Sequence, residues 1–146
     1  MKKTEIIAAW KIDSRIDDKL DVDDLVLMRN MSLHSKYVEW LSHAEDVRRG
    51  LEVHRKNLWR KLYDYYRGAS TEEDLKELGK EQNRRRLSKS DANEFIETDS
   101  IMIELERKLD IQLEKVRILT DIVRQVGFRN NSIGNIMSWR KFTAGG

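Results

Sequence analysis

Twenty-one residues, Arg48 to Gly68 (RRGLEVHRKNLWRKLYDYYRG), gather the side chains of this chain best suited to chemistry. Seven Lys/Arg stand against two acids, and the run closes on Trp59, Tyr63, Tyr65 and Tyr66. Cations neutralise phosphates and release their counterions, while flat aromatic rings offer faces on which unpaired bases stack. Elsewhere the charges nearly cancel: seven basic and ten acidic groups over 1–47, six and five over 69–90, eight and nine over 91–146. The overall +2 therefore conceals a local +5. That asymmetry points to a polyanion, with single-stranded nucleic acid as the first candidate.

Within the run, Arg60, Lys61 and Arg67 bracket the aromatic residues, and on a helix Lys56 and Arg60 are i,i+4 neighbours. A basic helical face can also be merely solvated, and Leu62 and Tyr65 would suit a core. No catalytic set emerges beside it. His34, His43 and His54 lie 9 and 11 residues apart, whereas a helical metal pair needs i,i+3 or i,i+4. A glycine-rich phosphate loop and a nucleophile elbow are both absent. Glu104, Glu106, Asp110 and Glu114 interleave with Arg107, Lys108, Lys115 and Arg117 as a salt-bridged helix face does. The chain is expected to be no enzyme and to hold no metal or cofactor.

The elements that must position these residues are helical. Proline and cysteine are absent, 37% of residues are charged, and no turn signals recur at strand spacing. An all-α fold of one domain is predicted, without disulfides or thiolate chemistry. The five-residue apolar run at Ile6–Trp10 is too short for a signal peptide, and nothing approaches the ~20 apolar residues of a membrane span, so a soluble cytoplasmic protein is expected.

Residues 1–20 read as an amino-terminal arm with apolar points at Ile6, Ile7, Trp10, Ile12, Ile16 and Leu20. Asp17, Asp18, Asp21, Asp23 and Asp24 then cluster, Asp21 suiting an N-cap; the calcium-loop pattern is missing. A long amphipathic helix fills 21–68. Its predicted seam runs Met31, His34, Val38, Leu41, then, after a slip of phase near Ala44, through Val47, Leu51, His54, Leu58, Leu62 and Tyr65. Gly68 supplies its stop. Residues 69–90 form a polar connector, with a short helix begun at Ser70 or Thr71 and ended at Gly79. Its Arg84-Arg85-Arg86 triplet is either a solvated charge run or an auxiliary phosphate clamp. Core helices occupy 91–127, with Asp99 or Ser100 capping the longer one and Gly127 ending it. A final helix over 128–146, capped near Asn130–Ser132, carries Ile133, Ile136, Trp139 and Phe142 as an assembly element.

Several segments, in order, resemble the UvsY family of recombination mediators from T-even-type bacteriophages. Leu33-His34-Ser35-Lys36-Tyr37-Val38-Glu39-Trp40-Leu41 is similar to the family's Leu-Tyr-Ser-Lys-Trp-Leu. Leu58-Trp59-Arg60-Lys61-Leu62-Tyr63-Asp64-Tyr65-Tyr66-Arg67-Gly68 resembles its Leu-Lys-Ala-Arg-Leu-Asp-Tyr-Tyr-Ser-Gly. Gly127-Phe128 and the run Ile133, Ile136, Trp139, Arg140, Phe142, Ala144, Gly145 match the family's carboxyl end, with two extra residues between Phe128 and Ile133. In register with Asp64-Tyr65-Tyr66, Arg60 takes the place of the first family basic residue. Leu62 stands at the second, and Lys61 offers its charge ~100° away around the helix.

The resemblance implies a ring-shaped homo-oligomer, hexameric or heptameric, in the host-cell cytoplasm. It implies binding of single-stranded DNA and loading of a RecA-like recombinase in place of single-strand-binding protein, during homologous recombination and recombination-dependent replication and repair. Arg60 and Lys61 are then the principal phosphate contacts, with Lys56, Arg67, Arg55, Tyr63, Tyr65 and Tyr66 in support. The alternative class is a non-catalytic helical scaffold whose basic face binds a protein partner.

Overall fold

The computed structural model describes residues 1–15 and 24–145. Five helices make up its regular structure: α1 (Lys3–Asp13), α2 (Asp24–Tyr66), α3 (Glu72–Leu78), α4 (Lys89–Thr98) and α5 (Ser100–Gly145). The all-α expectation holds among the described residues. Ile16, Leu20 and the aspartates Asp17, Asp18, Asp21 and Asp23 lie outside them, and with them the expected cap at Asp21. No helix among the described residues is long and apolar enough to cross a membrane.

Two compact units share the long helices. Met1–Glu45 with Leu113–Gly146 forms one, and Asp46–Gln112 the other. The first buries Ile6, Tyr37, Ala44, Leu119, Ile122 and Val126 among α1, α2 and α5, with Trp10, Leu33 and Trp40 packed against them. Tyr37 is fully enclosed, its ring edge-on to Trp10 at 5.5 Å and to Trp40 at 5.2 Å. Its hydroxyl donates to Asp13 Oδ2 at 2.8 Å, which also meets Lys36 Nζ at 2.7 Å. Burial pushes the Asp13 carboxyl up, but the two hydrogen bonds and the Lys36 charge outweigh it and hold the group below its ordinary value.

The second unit buries Leu58, Leu62, Leu78, Ile96, Met102 and Leu105. Local chemistry sets its helix boundaries. Gly68 adopts φ +73°, letting Gly68 N–H bond Tyr65 O and Ala69 N–H bond Asp64 O, which satisfies carbonyls at the end of α2. The Thr71 hydroxyl caps α3 by accepting from Asp74 N–H, and Gly79, at φ +65°, ends it. Ser88 caps α4 through Asp91 N–H. Asp99 closes α4 and begins α5, accepting Ile101 N–H at 2.9 Å.

Two expectations are corrected. The seam of α2 keeps one phase: Asn30, Tyr37, Ala44, Leu51 and Leu58 recur every seven residues on its buried or half-buried side, while Met31 (58% exposed), Val38, Val47 and His54 face outward. The companion row of the same stripe is His34, Leu41, Arg48, Arg55 and Leu62. Arg48 and Arg55 keep their stems in the seam and carry their charges out to Glu52 and Glu106, as long cationic side chains do. Hydrophobicity alone therefore loses the phase at these two positions. The second correction concerns α5, which does not stop at Gly127 but runs on to Gly145, with no positive φ at Gly127. An internal glycine costs about 1 kcal/mol relative to alanine. Burial of Val126 and Ile133, seven residues apart on one side of α5, offsets that cost, and the Val126 carbonyl also accepts the Asn30 side-chain amide.

Candidate nucleic-acid interface

The basic-aromatic run occupies the carboxyl end of α2, in the second unit. At 100° per residue, Lys56, Trp59, Arg60, Tyr63 and Arg67 fall within a sector of about 100°, opposite Leu51, Leu58 and Leu62. Burial of the leucines against α3, α4 and α5 thus leaves Lys56, Trp59 and Arg60 exposed, with Tyr63 and Arg67 half-buried beside them. The i,i+4 spacing of Trp59 and Tyr63 brings their rings parallel, 5.1 Å between centroids and 15° between planes. Trp59 keeps 38% of its surface exposed. Tyr63 is half-buried against the core of its unit, so Trp59 is the exposed ring of the stack. An exposed ring backed by a second one and flanked by cations is a platform on which a further planar group can stack.

Helix spacing and tertiary packing together set carboxylates against most of the cations. Arg60 lies 3.4 Å from Asp64 and 3.9 Å from Asp74 of α3. Lys61 pairs with Glu77 of α3, and that hydrogen bond holds the Glu77 carboxyl below its ordinary value. Arg55 bonds Glu106 of α5 at 3.0 Å, Arg48 bonds Glu52 and Arg49 bonds Asp46. Five of the seven cations of the run therefore meet an acid. Arg67 instead donates to the Leu87 carbonyl at 2.7 Å, and Lys56 is exposed with no ion pair among the described residues. Exposed pairs of this kind are each worth ~0.2–1 kcal/mol, so a polyphosphate can displace the acids.

The two remaining tyrosines serve the unit's interior. Tyr66 donates from its hydroxyl to Asp99 Oδ2 at 2.6 Å and packs on Phe95, ring centroids 5.5 Å apart. Burial and the Asp99 charge push that hydroxyl far above its ordinary value. Tyr65 packs in the same core with Lys80 Nζ 5.0 Å from its ring centre, and Lys80 also pairs with Asp99 at 3.0 Å. Tyr65 and Tyr66, expected among the stacking residues, are thus occupied in holding α2 to α4 and α5. Trp59 stacks on Tyr63 one turn away and keeps its outer face open. The Trp59–Tyr63 spacing was the signal that could have marked the pair.

In the first unit, Ile133 is buried in the subunit itself, whereas Ile136, Trp139 and Phe142 are exposed, at 43%, 66% and 74%. Among the described residues no group of three or more His, Cys, Asp or Glu is placed to hold a metal ion.

Comparison with known proteins bears on this geometry. Residues 9–146 match the family described as "Recombination, repair and ssDNA binding protein UvsY". Among curated proteins, no relative matches. Two crystal forms of the bacteriophage T4 recombination mediator protein UvsY share the fold. One has a TM-score of 0.80 at 20% identity, covering 99% of this chain and 98% of that one. The other has a TM-score of 0.79 at 18% identity, covering 97% and 99%.

Proposed function

The chain belongs to the UvsY family of recombination, repair and ssDNA-binding proteins, and from that membership we propose that it is a mediator acting on single-stranded DNA through the carboxyl end of α2. The observation that carries this reading is the exposed Trp59 ring, stacked on half-buried Tyr63 and set in one sector with Lys56 and Arg60. Bases stack on the rings. Phosphates exchange with Asp64, Asp74 and Glu77 for Arg60 and Lys61, and Lys56 is open to them from the start. Stacking of this kind is worth ~1–3 kcal/mol per base and tolerates any sequence, as a protein acting anywhere on a strand requires. In the cell the partners are a RecA-like recombinase, which the protein loads, and the single-strand-binding protein that it displaces.

Replacing Arg60 and Lys61 together by alanine is expected to weaken binding of labelled oligo-dT on the order of tenfold at ~0.1 M salt and to lower the salt slope by about 1. Fluorescence anisotropy over a salt series measures both. Unchanged affinity and slope in a folded double variant would remove these residues from the interface. Retained binding of a recombinase by a wild-type protein with no single-strand affinity would favour the scaffold class instead.

Assembly into six or seven copies would repeat a weak site and convert it into avidity. Ile136, Trp139 and Phe142 recur every three residues along α5, and the rings of Trp139 and Phe142 stack at 5.9 Å; we assign this row to contacts between copies, without Ile133. Trp139→Ser with Phe142→Ser is expected to give smaller species in sedimentation velocity at unchanged helicity. Survival of the large species would refute the assignment.

A further inference from the structure

The connector brings a second basic group to the end of α2. Residues 82–90 carry Arg84, Arg85, Arg86 and Lys89 and no acid. Their place is set by bonds to the last turn of α2: Leu87 N–H to Tyr66 O at 3.1 Å, Arg67 to Leu87 O at 2.7 Å, and Gln82 to Gly68 O at 3.3 Å. Arg85 N–H also bonds the Asn83 side chain at 3.2 Å. The stem of Arg86 lies over Gly68, so close that a Cβ there would stand 3.0 Å from Arg86 Cγ. All three arginines are exposed, and none has a carboxylate partner among the described residues. Five cations of α2, by contrast, face acids. Gly68 is about 12 Å along the helix from Arg60, within the span of a short oligonucleotide.

From this contrast we infer that Arg84, Arg85 and Arg86, with Arg67 beside them, form a second phosphate-binding site for the single strand that engages the Trp59–Tyr63 platform. The inference rests on the single-strand reading of α2. A guanidinium presents a planar fork of donors that matches phosphate oxygens, and three unpaired ones need displace no protein carboxylate. The strand therefore gains more from the connector than from the paired cations of α2, and the connector adds a large share of the salt dependence.

The test uses the full chain and oligo-dT over a salt series, comparing wild type with R84A/R85A/R86A, with R84A/R85A, which leaves the Arg86 stem on Gly68, and with R84K/R85K/R86K. With ~0.7 of slope per phosphate on a single strand, the triple alanine variant is expected to lose about 2 in slope and tenfold or more in affinity at ~0.1 M salt. The double alanine variant should lose about two thirds of that, and the lysine variant should keep most of the binding. Wild-type affinity and slope in both alanine variants, with R60A/K61A weakened, would overturn the second site and leave the α2 reading standing. No single-strand binding by the wild type at low salt would overturn both.

Discussion

Replacing Asp99 by alanine is expected to destabilise the protein by about 3 kcal/mol. The Asp99 side chain is almost wholly enclosed, and its carboxylate accepts the Tyr66 hydroxyl at 2.6 Å, the Lys80 ammonium at 3.0 Å and the Ile101 N–H at 2.9 Å. Loss of an N-cap costs ~0.5–2 kcal/mol, and loss of a hydrogen bond to a charged group ~1.5–3 kcal/mol. The contributions overlap because Lys80, itself partly exposed, can turn to water once Asp99 is gone. Asparagine should restore the cap and part of the Tyr66 bond, and so recover about half the loss.

The effect also has a pH signature. Burial pushes the Asp99 carboxyl up, but its hydrogen bonds to Tyr66, Lys80 and the Ile101 N–H, with the Lys80 charge, win, and the group lies below its ordinary value of 3.8. A folded pKa below the unfolded one gives stability that is full above the unfolded value and is lost as pH falls through the folded one. The gap between wild type and Asp99→Ala should be constant from neutral pH down to about pH 4 and shrink below it. Urea denaturation followed by far-ultraviolet circular dichroism measures it. A loss under about 1 kcal/mol would be typical of an exposed pair and would contradict the assignment of Asp99 as the anchor of its unit.

Trp59→Ala is expected to weaken single-strand binding by about 5- to 150-fold per engaged base, the range that corresponds to ~1–3 kcal/mol of stacking. It removes the exposed ring of the Trp59–Tyr63 pair and leaves every cation in place. Stacking releases no counterions, so affinity should fall at every salt concentration while the salt slope is unchanged. That separates it from the charge variants, which change the slope. Phenylalanine, which retains a π face, should recover much of the binding. Tyr66→Phe should leave strand affinity nearly intact and appear as lost stability, because its hydroxyl belongs to Asp99. A Trp59→Ala protein that binds as wild type would leave the platform without a role.

How much of this was legible beforehand follows the range of the interactions involved. The stop at Gly68 and the end of α3 at Gly79 were readable in one dimension, and the start of α3 and the cap of α5 were each narrowed to two neighbours, Ser70 or Thr71 and Asp99 or Ser100. A cap bonds an N–H two or three residues away, and a left-handed glycine ends the helix that precedes it. The outward placement of a basic-aromatic run was likewise readable as a possibility from residue types alone. What the run faces was not. Arg55 meets Glu106, Lys61 meets Glu77, and Tyr66 meets Asp99, partners 51, 16 and 33 residues distant.

The helical class, the helix boundaries set by caps and glycines, and the concentration of cations and rings near residue 60 are consequences of composition and short spacing, because helical hydrogen bonds and caps close within about four residues. The phase of the α2 seam, the passage of α5 through Gly127, the neutralisation of α2 by acids of α3 and α5, and the return of Arg84–Arg86 to Gly68 arose only when distant segments packed. At Gly127 a local preference worth about 1 kcal/mol met burial of Val126 and Ile133 and yielded to it; the others depend on contacts between residues far apart in the chain, which no local spacing encodes.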